Sequence, residues 1–223
     1  MVTKKVVIWG ASGHSRVVAD ILRLRSDYEI AGFLDDVNSQ AQGRPFCGSR
    51  ILGGREELSK LVESGVRWLI FGFGACGPRL RLASVVRHHG LMLLTATHPN
   101  AVIASDVAIG EGTVIAAGAV INTGARLGDN VIVNTGASVD HDCTIGDAAH
   151  ICPGVHLAGG VRVDASSWVG IGTAVTAGVT IGPGAIIGAG SLVIDDIPPN
   201  VVAFGSPATV RRSVREDDRE IAG

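Results

Sequence analysis

The sequence predicts two domains, an α/β domain followed by a parallel β-helix, and two observations support that prediction. From Ile103 to Val193 every sixth residue is Ile, Leu or Val without an exception. Ahead of Ile103, short apolar segments alternate with segments of helical character. A strict period of six residues is typical of stacked coils, whereas alternating strands and helices are typical of a parallel sheet.

The period of six residues predicts how the second domain is built. Each unit forms a short strand and a turn, with its aliphatic residue pointing inward. A small or β-branched residue two positions earlier shares the interior, as Ala137 does for Val139. Three units close a triangular coil, and neighbouring coils pair their backbones about 4.8 Å apart. The inward aliphatic positions are Ile103, Ile109, Ile115, Ile121, Leu127, Val133, Val139, Ile145, Ile151, Leu157, Val163, Val169, Val175, Ile181, Ile187 and Val193.

The pattern of residues 1–98 predicts a Rossmann-like α/β domain. The expected strands are residues 5–9, 30–34 and 67–73, and the expected helices are residues 16–25, 56–63 and 78–89. Alternation of this kind implies a parallel sheet. The boundary is expected at His98 and Pro99, so that the β-helix domain covers residues 99–213 and a charged, loose tail covers residues 214–223.

Composition and charge exclude several classes of protein. Apolar residues make up 46% of the chain and charged residues 18%, which argues against disorder. The net charge of -2 gives no attraction to nucleic acid or to an anionic membrane. No apolar run is long enough for a signal peptide or a membrane span, so a cytoplasmic location is expected. The four cysteines lack the spacing of zinc sites or disulfides, and no bound metal is expected.

Three expected strand ends predict a pocket for a nucleotide. The turn Gly10-Ala-Ser-Gly-His14 follows the first strand and opens a helix, where free N–H groups suit a phosphate or a ribose. Its glycine spacing differs from the dinucleotide fingerprint, so an ordinary turn between strand and helix is an equal alternative. Asp35 and Asp36 end the second strand, where acidic side chains contact ribose or base and where a solvated loop is the alternative. The segment Phe71-Gly-Phe-Gly74 ends the third strand and forms the other wall.

Three of the seven histidines, His141, His150 and His156, stand out because of their place in the repeat. His141 follows Val139, so His141 and Asp142 are expected at an outward corner of the prism. A neutral imidazole is the usual general base near neutral pH, and Asp142 is the candidate carboxylate that orients it, with Asp140 as a second possibility. A corner histidine that contacts only water is the alternative. His150 lies half a coil further on, on the far side of the prism, so only three-fold packing of chains would bring it near another chain's His141.

In combination these motifs resemble those of bacterial sugar acyltransferases. The resemblance covers nearly the whole chain and rests on the unbroken repeat of six together with Gly10-Ala-Ser-Gly-His14, Leu34-Asp-Asp36, Asn134-Thr135, His141-Asp142, His150 and Gly205-Ser-Pro-Ala208. Members of this family acetylate the 4-amino group of nucleotide sugars or, in relatives, sialic acid, for glycan biosynthesis. The GDP-perosamine N-acetyltransferases are one neighbouring group. The resemblance implies a left-handed hexapeptide β-helix, a homotrimer, acetyl-CoA in the groove between neighbouring β-helices, and a nucleotide sugar held by the N-terminal domain.

The resemblance also implies roles for individual residues. His141 corresponds to the catalytic base and Asp142 to its carboxylate partner, which is the longer Glu in similar enzymes. The implied contacts to acetyl-CoA are His150, Ile171 and Ala189. The implied contacts to the nucleotide sugar are Ser12, Gly13, His14, Asp35, Asp36 and Gly74, with Asn134 near the acceptor sugar.

Three other functions remain open at this stage. An O-acetyltransferase acting on sialic acid would use the same fold and depend more strictly on His141, because a hydroxyl must lose its proton during attack. A zinc enzyme of the carbonic-anhydrase type would use three histidines as ligands, but it leaves the N-terminal domain without a purpose. In a scaffold protein the β-helix would serve only to trimerise. Neither the sugar nor the choice between GDP and UDP follows from spacing.

Overall fold

The N-terminal domain of the computed structural model is a six-stranded sheet flanked by helices. The structure describes residues 3–25 and 27–221, of which residues 219–221 as backbone only. The sheet has the order β3-β4-β2-β1-β5-β6 and is parallel except between β3 and β4. Strand order reverses beside β1, so the carboxyl ends of β1 and β5 border the crevice in which such sheets bind ligands. The elements are β1 (Lys4–Trp9), α1 (Gly13–Arg23), β2 (Tyr28–Leu34), β3 (Pro45–Phe46), β4 (Ser49–Gly53), α2 (Leu58–Glu63), β5 (Trp68–Phe71), α3 (Cys76–His88) and β6 (Met92–Leu93).

The prediction of strands alternating with helices is confirmed, with small shifts at the ends. Helix α1 begins at Gly13, three residues before the expected start. The Ser12 N–H donates to the Ser15 hydroxyl (3.1 Å), which in turn donates to the Gly72 carbonyl (2.8 Å). These two bonds tie the first turn of α1 to the end of β5, which stops at Phe71 rather than at residue 73. Helix α3 starts at Cys76, with Pro78 in its first turn, where proline is tolerated.

The second domain is a left-handed parallel β-helix, as predicted. Its short strands stack in three parallel sheets, and residues eighteen positions apart pair, as Ser138 does with His156. The first sheet contains β7, β10, β13, β16, β19 and β22, the second β8, β11, β14, β17, β20 and β23, and the third β9, β12, β15, β18 and β21. These strands are β7 (Ala96–Thr97), β8 (Val102–Ile103), β9 (Ala108–Ile109), β10 (Val114–Ile115), β11 (Val120–Ile121), β12 (Arg126–Leu127), β13 (Ile132–Val133), β14 (Ser138–Val139), β15 (Thr144–Ile145), β16 (His150–Ile151), β17 (His156–Leu157), β18 (Arg162–Val163), β19 (Trp168–Val169), β20 (Ala174–Val175), β21 (Thr180–Ile181), β22 (Ile186–Ile187) and β23 (Leu192–Val193).

The interior of the β-helix is the aliphatic column that the repeat predicts. The inward positions from Ile115 to Val193 are at most 4% exposed, while Ile103 and Ile109 in the first coil are only partly buried. The small residues two positions earlier, such as Ala137 and Cys143, are fully buried beside them. Burial of this column supplies the main stabilisation of the domain, because a single coil could not exclude water from its own apolar face.

The turns of the β-helix form three edges. We call the turns from the first to the second sheet the first edge, those from the second to the third sheet the second edge, and those from the third to the first sheet the third edge. From Gly112 to Gly190 every sixth residue has a positive φ. Most of these residues are glycine, and the exceptions are Asn130, Asp142, Ala148 and Ser166. Asparagine and aspartate tolerate this conformation better than other residues with a side chain, so the local strain falls mainly on Ala148 and Ser166.

The first sheet of the β-helix packs against the N-terminal domain. Val114 and Ile132 on its outer face share one buried cluster with Val18 and Ile21 of α1. Strand β7 already pairs with β10, so the β-helix begins two residues before His98. Because this contact surface is apolar and continuous with the core of the sheet, the two domains pack closely against each other.

The C-terminal segment differs from the expected loose tail. Strands β24 (Val201–Gly205) and β25 (Ala208–Ser213) form a hairpin that extends the first sheet, and a short helix α4 (Glu216–Ile221) follows. The Arg212 guanidinium donates to the Asp218 carboxylate (2.7 Å) and ties the helix to β25. The last two residues of the predicted tail lie outside the described residues. No helix within residues 3–25 and 27–221 is long and apolar enough to cross a membrane.

Candidate active site

His141 and Asp142 form the turn between β14 and β15 on the second edge. The imidazole Nδ1 lies 2.9 Å from the Asp142 Oδ2. Because a carboxylate only accepts hydrogen bonds, Nδ1 carries the proton and Nε2 carries the free lone pair. The His141 side chain is 58% exposed, and Nε2 has no hydrogen-bond partner among the described residues, so its lone pair is free to accept a proton. The hydrogen bond to Asp142 and, after it, the charge of Asp140 raise the pKa of His141 above its usual value.

The backbone of this turn is held from the coils above and below. The Asp142 N–H donates to the Thr123 carbonyl (3.1 Å), and the Gly160 N–H donates to the His141 carbonyl (2.8 Å). Asp142 has a φ of 59°, and in this left-handed turn its short side chain reaches the neighbouring imidazole. Asp142, although shorter than the Glu of similar enzymes, therefore makes the hydrogen bond to His141 that the sequence alone did not decide. Asp140, the second possible orienter, instead accepts the backbone N–H of His141 (2.8 Å).

The first edge presents two of the implied acetyl-CoA contacts. Ile171 is 59% exposed, and Ala189 is exposed directly above it, one coil further on. The Gly190 N–H donates to the Ile171 carbonyl (2.7 Å), so the two turns are in register. Together they present apolar side chains to the solvent, which suits the methylene groups of an extended thioester-bearing chain. Because this edge is not the edge that carries His141, one chain does not bring the two sets of residues together.

His150 lies in a covered position and not in an open groove. It faces outward from β16, yet it is only 4% exposed because the N-terminal domain covers it. Its Nδ1 lies 3.3 Å from the Gly74 carbonyl oxygen and its Nε2 lies 3.2 Å from the Asn134 amide nitrogen. The carbonyl must accept, so Nδ1 carries the proton and Nε2 accepts from Asn134. Burial, and then the charge of Arg79, lowers the pKa of His150 well below its usual value.

The burial of His150 bears on two expectations. Its imidazole packs on the Trp168 ring at a centroid distance of 4.5 Å and lies 6.1 Å from the His14 ring. The side chain is therefore covered by its own chain, which argues against direct pairing with another chain's His141. A contact between His150 and acetyl-CoA stays a prediction, and in this conformation only the small exposed part of the residue is available for it.

Arg79, which the sequence did not single out, is the centre of the domain junction. It lies on α3, is 1% exposed, and its guanidinium donates to main-chain carbonyls of both domains. No carboxylate pairs with it among the described residues, so the carbonyl dipoles are its partners. Its carbonyl acceptors are those of Asn130 (3.2 Å), Ala148 (2.8 Å), Ala149 (3.3 Å), Phe73 (3.4 Å) and Gly74, and its Nη2 also donates to the Cys76 Sγ (3.9 Å). An arginine in an expected helix gives no signal of its own, because only the packing of the two domains buries it.

The turn at the start of α1 lies beside the same junction. Gly10 approaches the end of β5 so closely that a Cβ there would lie 3.1 Å from the Gly72 backbone. Ser12 and Gly13 are exposed, and a Cβ on Gly13 would meet no atom within 4 Å, so space remains above the first turn. His14 keeps part of its surface exposed, while its Nε2 is buried without a hydrogen-bond partner among the described residues. Burial, and then the charge of Arg79, lowers the pKa of His14 to about 4.

Asp35 and Asp36 line a separate cleft at the carboxyl ends of β2 and β4. The cleft has a volume of about 290 Å³. Asp35 accepts the backbone N–H groups of Val37 (2.9 Å) and Asn38 (3.1 Å). Asp36 accepts the backbone N–H of Arg55 (2.7 Å) and forms an ion pair with its guanidinium (2.9 Å). Arg55, which the sequence analysis missed, is paired with Asp36, and Asp35 and Glu56 also line the cleft, so three carboxylates stand against one guanidinium there.

A larger cleft of about 330 Å³ contains none of the predicted site residues. It lies between the start of α3 and the third edge, and its lining includes Cys76, Leu80, Arg81, Ser166 and Trp168. Volume alone therefore does not identify the site of chemistry here. Within residues 3–25 and 27–221 no group of three or more His, Cys, Asp or Glu side chains could hold a metal ion, so the zinc hypothesis receives no support.

The N-terminal domain is similar to a known domain family. The PglD N-terminal domain family matches residues 5–86. The UDP-N-acetylbacillosamine N-acetyltransferase of Bacillus subtilis (strain 168) is 37% identical over 112 residues, which are 50% of this chain and 51% of that protein. This chain thus spans about half the length of that curated relative.

Solved structures cover nearly the whole chain. The H141N mutant of perosamine N-acetyltransferase from Caulobacter crescentus, in complex with CoA and GDP-perosamine, is 39% identical and superimposes with a TM-score of 0.89 over 93% of this chain and 96% of that one. The chain belongs to the family of nucleotide-sugar N-acetyltransferases. The acetyltransferase domain of PglB from Neisseria gonorrhoeae FA1090, in complex with acetyl coenzyme A, is 34% identical, with a TM-score of 0.87 over 94% of this chain and all of that domain.

Membership of the nucleotide-sugar N-acetyltransferase family confirms the resemblance that the motifs carried and the two-part fold. It does not by itself assign roles to residues of this chain. The structure groups the predicted site residues into four sets, and their roles stay predictions. His141 and Asp142 lie on the second edge, Ile171 and Ala189 on the first edge, His14, Gly74, Asn134 and His150 at the junction beside Ser12 and Gly13, and Asp35 and Asp36 in the cleft at the sheet.

Proposed function

We propose that this protein transfers the acetyl group of acetyl-CoA to the 4-amino group of a GDP- or UDP-linked amino sugar, with His141 as the general base. The observation that carries this proposal is the exposed imidazole of His141, whose Nδ1–H is held by Asp142 while its Nε2 has no partner among the described residues. A fixed tautomer of this kind is what a proton acceptor needs. The family of the chain and the ligands of the related structures support the choice of substrates.

The reaction places a defined demand on each residue. The amine nitrogen attacks the thioester carbonyl, a C–N bond forms, the C–S bond breaks and the thiolate of CoA leaves. His141 accepts the proton that the amine loses and returns it to the departing thiolate, so the transfer is balanced. Asp142 stabilises the imidazolium that exists between these two events. Acetyl-CoA supplies the activated acyl group.

The two substrates have separate binding surfaces in this proposal. The nucleotide lies along the carboxyl edge of the sheet, at Asp35, Asp36 and the start of α1 with Ser12, Gly13 and His14. The free N–H groups at the start of α1 favour the negative phosphates there, while Asp35 and Asp36 would contact the ribose or the base. Gly74 and Asn134 lie near the sugar. Ile171 and Ala189 hold the acetyl-CoA chain on the first edge, and His150 contacts it only through the small part of its surface that stays exposed.

The proposed catalytic unit is a homotrimer in the cytoplasm. His141 and the acetyl-CoA surface lie on different edges of one prism, so a catalytic centre that contains both requires two chains. Cyclic packing of three prisms sets the second edge of one chain against the first edge of the next. Mixing an inactive His141→Asn chain with an inactive Ile171→Asp chain tests this arrangement. Partial recovery of activity on mixing is expected, and recovery in neither the mixture nor a co-expressed pair contradicts shared sites.

Thiol release from acetyl-CoA with a panel of acceptors tests the function. The panel contains UDP- and GDP-linked 4-amino sugars, the same nucleotide sugars with a hydroxyl at C4, free sialic acid and serine. Turnover is expected with one amino nucleotide sugar and not with its hydroxyl counterpart. Turnover with sialic acid alone would instead identify an O-acetyltransferase, and thiol release with none of the acceptors would contradict acetyl transfer to sugars.

A further inference from the structure

Asp140 connects His141 to the coil below. Asn122 lies one coil, or eighteen residues, before Asp140, and its Nδ2 donates to the Asp140 Oδ1 (2.9 Å). The same oxygen accepts the backbone N–H of His141 (2.8 Å). These hydrogen bonds hold the pKa of Asp140 below its usual range, the bond from the His141 backbone contributing most. The carboxylate is therefore ionised and held in one orientation at neutral pH.

Gly159 provides the space in which the imidazole lies. It occupies the position one coil above His141, where the following coil carries Ala177. A Cβ on Gly159 would lie 2.4 Å from the His141 Nε2 and 2.5 Å from its Cε1, and the three nearest atoms all belong to this ring. Gly159 does not have a positive φ, so its backbone would accept alanine. The His141 side chain is thus the one group among the nearest contacts that excludes a larger residue.

An exposed imidazole needs such supports because packing does not restrain it. His141 is 58% exposed, and Asp142 restrains only its Nδ1. A displacement of a reacting group by about 1 Å lowers the rate of the reaction on the order of 10²-fold. We propose that Asp140, held by Asn122, is a positioning residue for His141, and that Gly159 is required to keep the imidazole in place. This inference rests on the proposed function, because Asp140 and Gly159 support the histidine that acts there as the general base.

Two substitutions of Asp140 separate its geometry from its charge. Asp140→Asn keeps an oxygen for both hydrogen bonds and loses the charge, so we expect kcat within about threefold of the unaltered enzyme. Because a negative charge beside His141 raises its pKa, the rise of kcat/KM with pH moves to lower pH in this variant. Asp140→Ala loses both contributions, and we expect kcat to fall about 10- to 100-fold with both KM values within twofold. The kcat of Asn122→Ala is expected to lie between those of Asp140→Asn and Asp140→Ala.

Asp106 provides the matched control on the same edge. It accepts hydrogen bonds from the Thr123 hydroxyl (2.8 Å) and the Gly124 N–H (2.9 Å) and does not contact His141. Asp106→Ala is therefore expected to leave kcat and the pH profile unchanged. A kcat of Asp140→Ala within twofold of the unaltered enzyme, or an equal loss in Asp106→Ala, overturns the proposal.

Gly159→Ala tests the second half of the proposal. We expect kcat to fall at least tenfold, and we expect no further loss of activity or thermal stability when Gly159→Ala is added to His141→Ala. The same loss of stability in both backgrounds would show that the coil, and not the imidazole, requires glycine.

The pKa of His141 can be measured by NMR without any substrate, and we expect it to fall in Asp140→Asn. An unaltered protein that fails to release thiol contradicts the proposed function alone. An unshifted pKa in Asp140→Asn contradicts an effect of the Asp140 charge on His141, whereas the kcat of Asp140→Ala decides the positioning role.

Discussion

His141 and His150 lie nine residues apart in the chain and in opposite surroundings. His141 stands exposed on an edge between two carboxylates, Asp140 and Asp142, and its pKa is raised. His150 is buried under the N-terminal domain near the Arg79 cation, and its pKa is lowered. Both rings have the proton on Nδ1, but the acceptor nitrogen of His150 is bonded to Asn134, whereas that of His141 has no partner among the described residues. Both residues are histidines, so their surroundings decide the difference. Solvent access and neighbouring carboxylates make His141 a candidate base, whereas His150 is buried at the domain junction beside a cation.

The largest expected difference between the two histidines is in activity. His141→Asn removes the proton acceptor, so we expect kcat for acetyl transfer to fall by roughly 10² to 10⁴ with little change in thermal stability. His150→Asn keeps a polar group at the junction, and we expect kcat to stay within about tenfold while stability falls. Steady-state thiol release and thermal unfolding of both variants check this contrast. A His150→Asn variant with unchanged stability and a raised KM for acetyl-CoA would instead support the predicted contact of His150 with acetyl-CoA.

The junction around His150 depends on Arg79. Arg79→Met keeps the volume but leaves buried carbonyl groups of both domains without donors, such as those of Asn130 and Ala148. At about 1 to 3 kcal/mol for each orphaned group, we expect the free energy of unfolding to fall by about 4 kcal/mol. Urea unfolding measures it. Arg81→Met, an exposed neighbour on α3, is the control and is expected to change the value by less than about 0.5 kcal/mol.

The histidine His14 at the junction should make the stability of the protein depend on pH. His14 has a pKa lowered from 6.5 to about 4, so the folded state binds fewer protons than the unfolded state between these values. Stability is fully present above pH 6.5 and is lost as pH falls toward 4, by up to about 3 kcal/mol from His14 alone. Urea unfolding from pH 7 to pH 4, compared between the unaltered protein and His14→Asn, tests this. Equal slopes in the two proteins would contradict a neutral His14 in the folded state.

The smallest expected effect concerns the strained turns. Ser166 on the third edge has a φ of 58°, close to that of Asp142, and its hydroxyl is buried without a partner among the described residues. Ser166→Gly removes both disadvantages, so we expect the free energy of unfolding to rise by about 1 kcal/mol with activity unchanged. Thermal and urea unfolding measure this gain. Reduced activity in Ser166→Gly would show that the third edge also takes part in function.

The sequence predicted the arrangement of the second edge, which carries His141, better than that of the junction between the two domains. The repeat of six places His141 and Asp142 at one corner because every position in a regular coil has a known direction. The same repeat also puts Asn122 under Asp140 and Gly159 over His141, since residues eighteen apart stack. Those two relations were therefore available in the spacing. The convergence of His141 and Asp142 was not, because it depends on the left-handed backbone at Asp142.

The junction could not be derived in this way. Arg79 is one of several arginines in its helix, and nothing in its spacing marks it as buried. Its burial follows from the packing of α3 on the β-helix, and Arg79 donates to carbonyls that are far away in sequence. The covering of His150 has the same origin, because its outward direction was predictable and the domain lying over it was not.

The sequence by itself determined the two domains, the stacking of the β-helix and the corner that carries His141, because a local period dictates the direction of each side chain. Only the tertiary structure decided which outward residues are covered, which carbonyls receive Arg79 and which histidine stays open to solvent. These properties depend on how two domains pack, and packing joins residues that no local pattern relates.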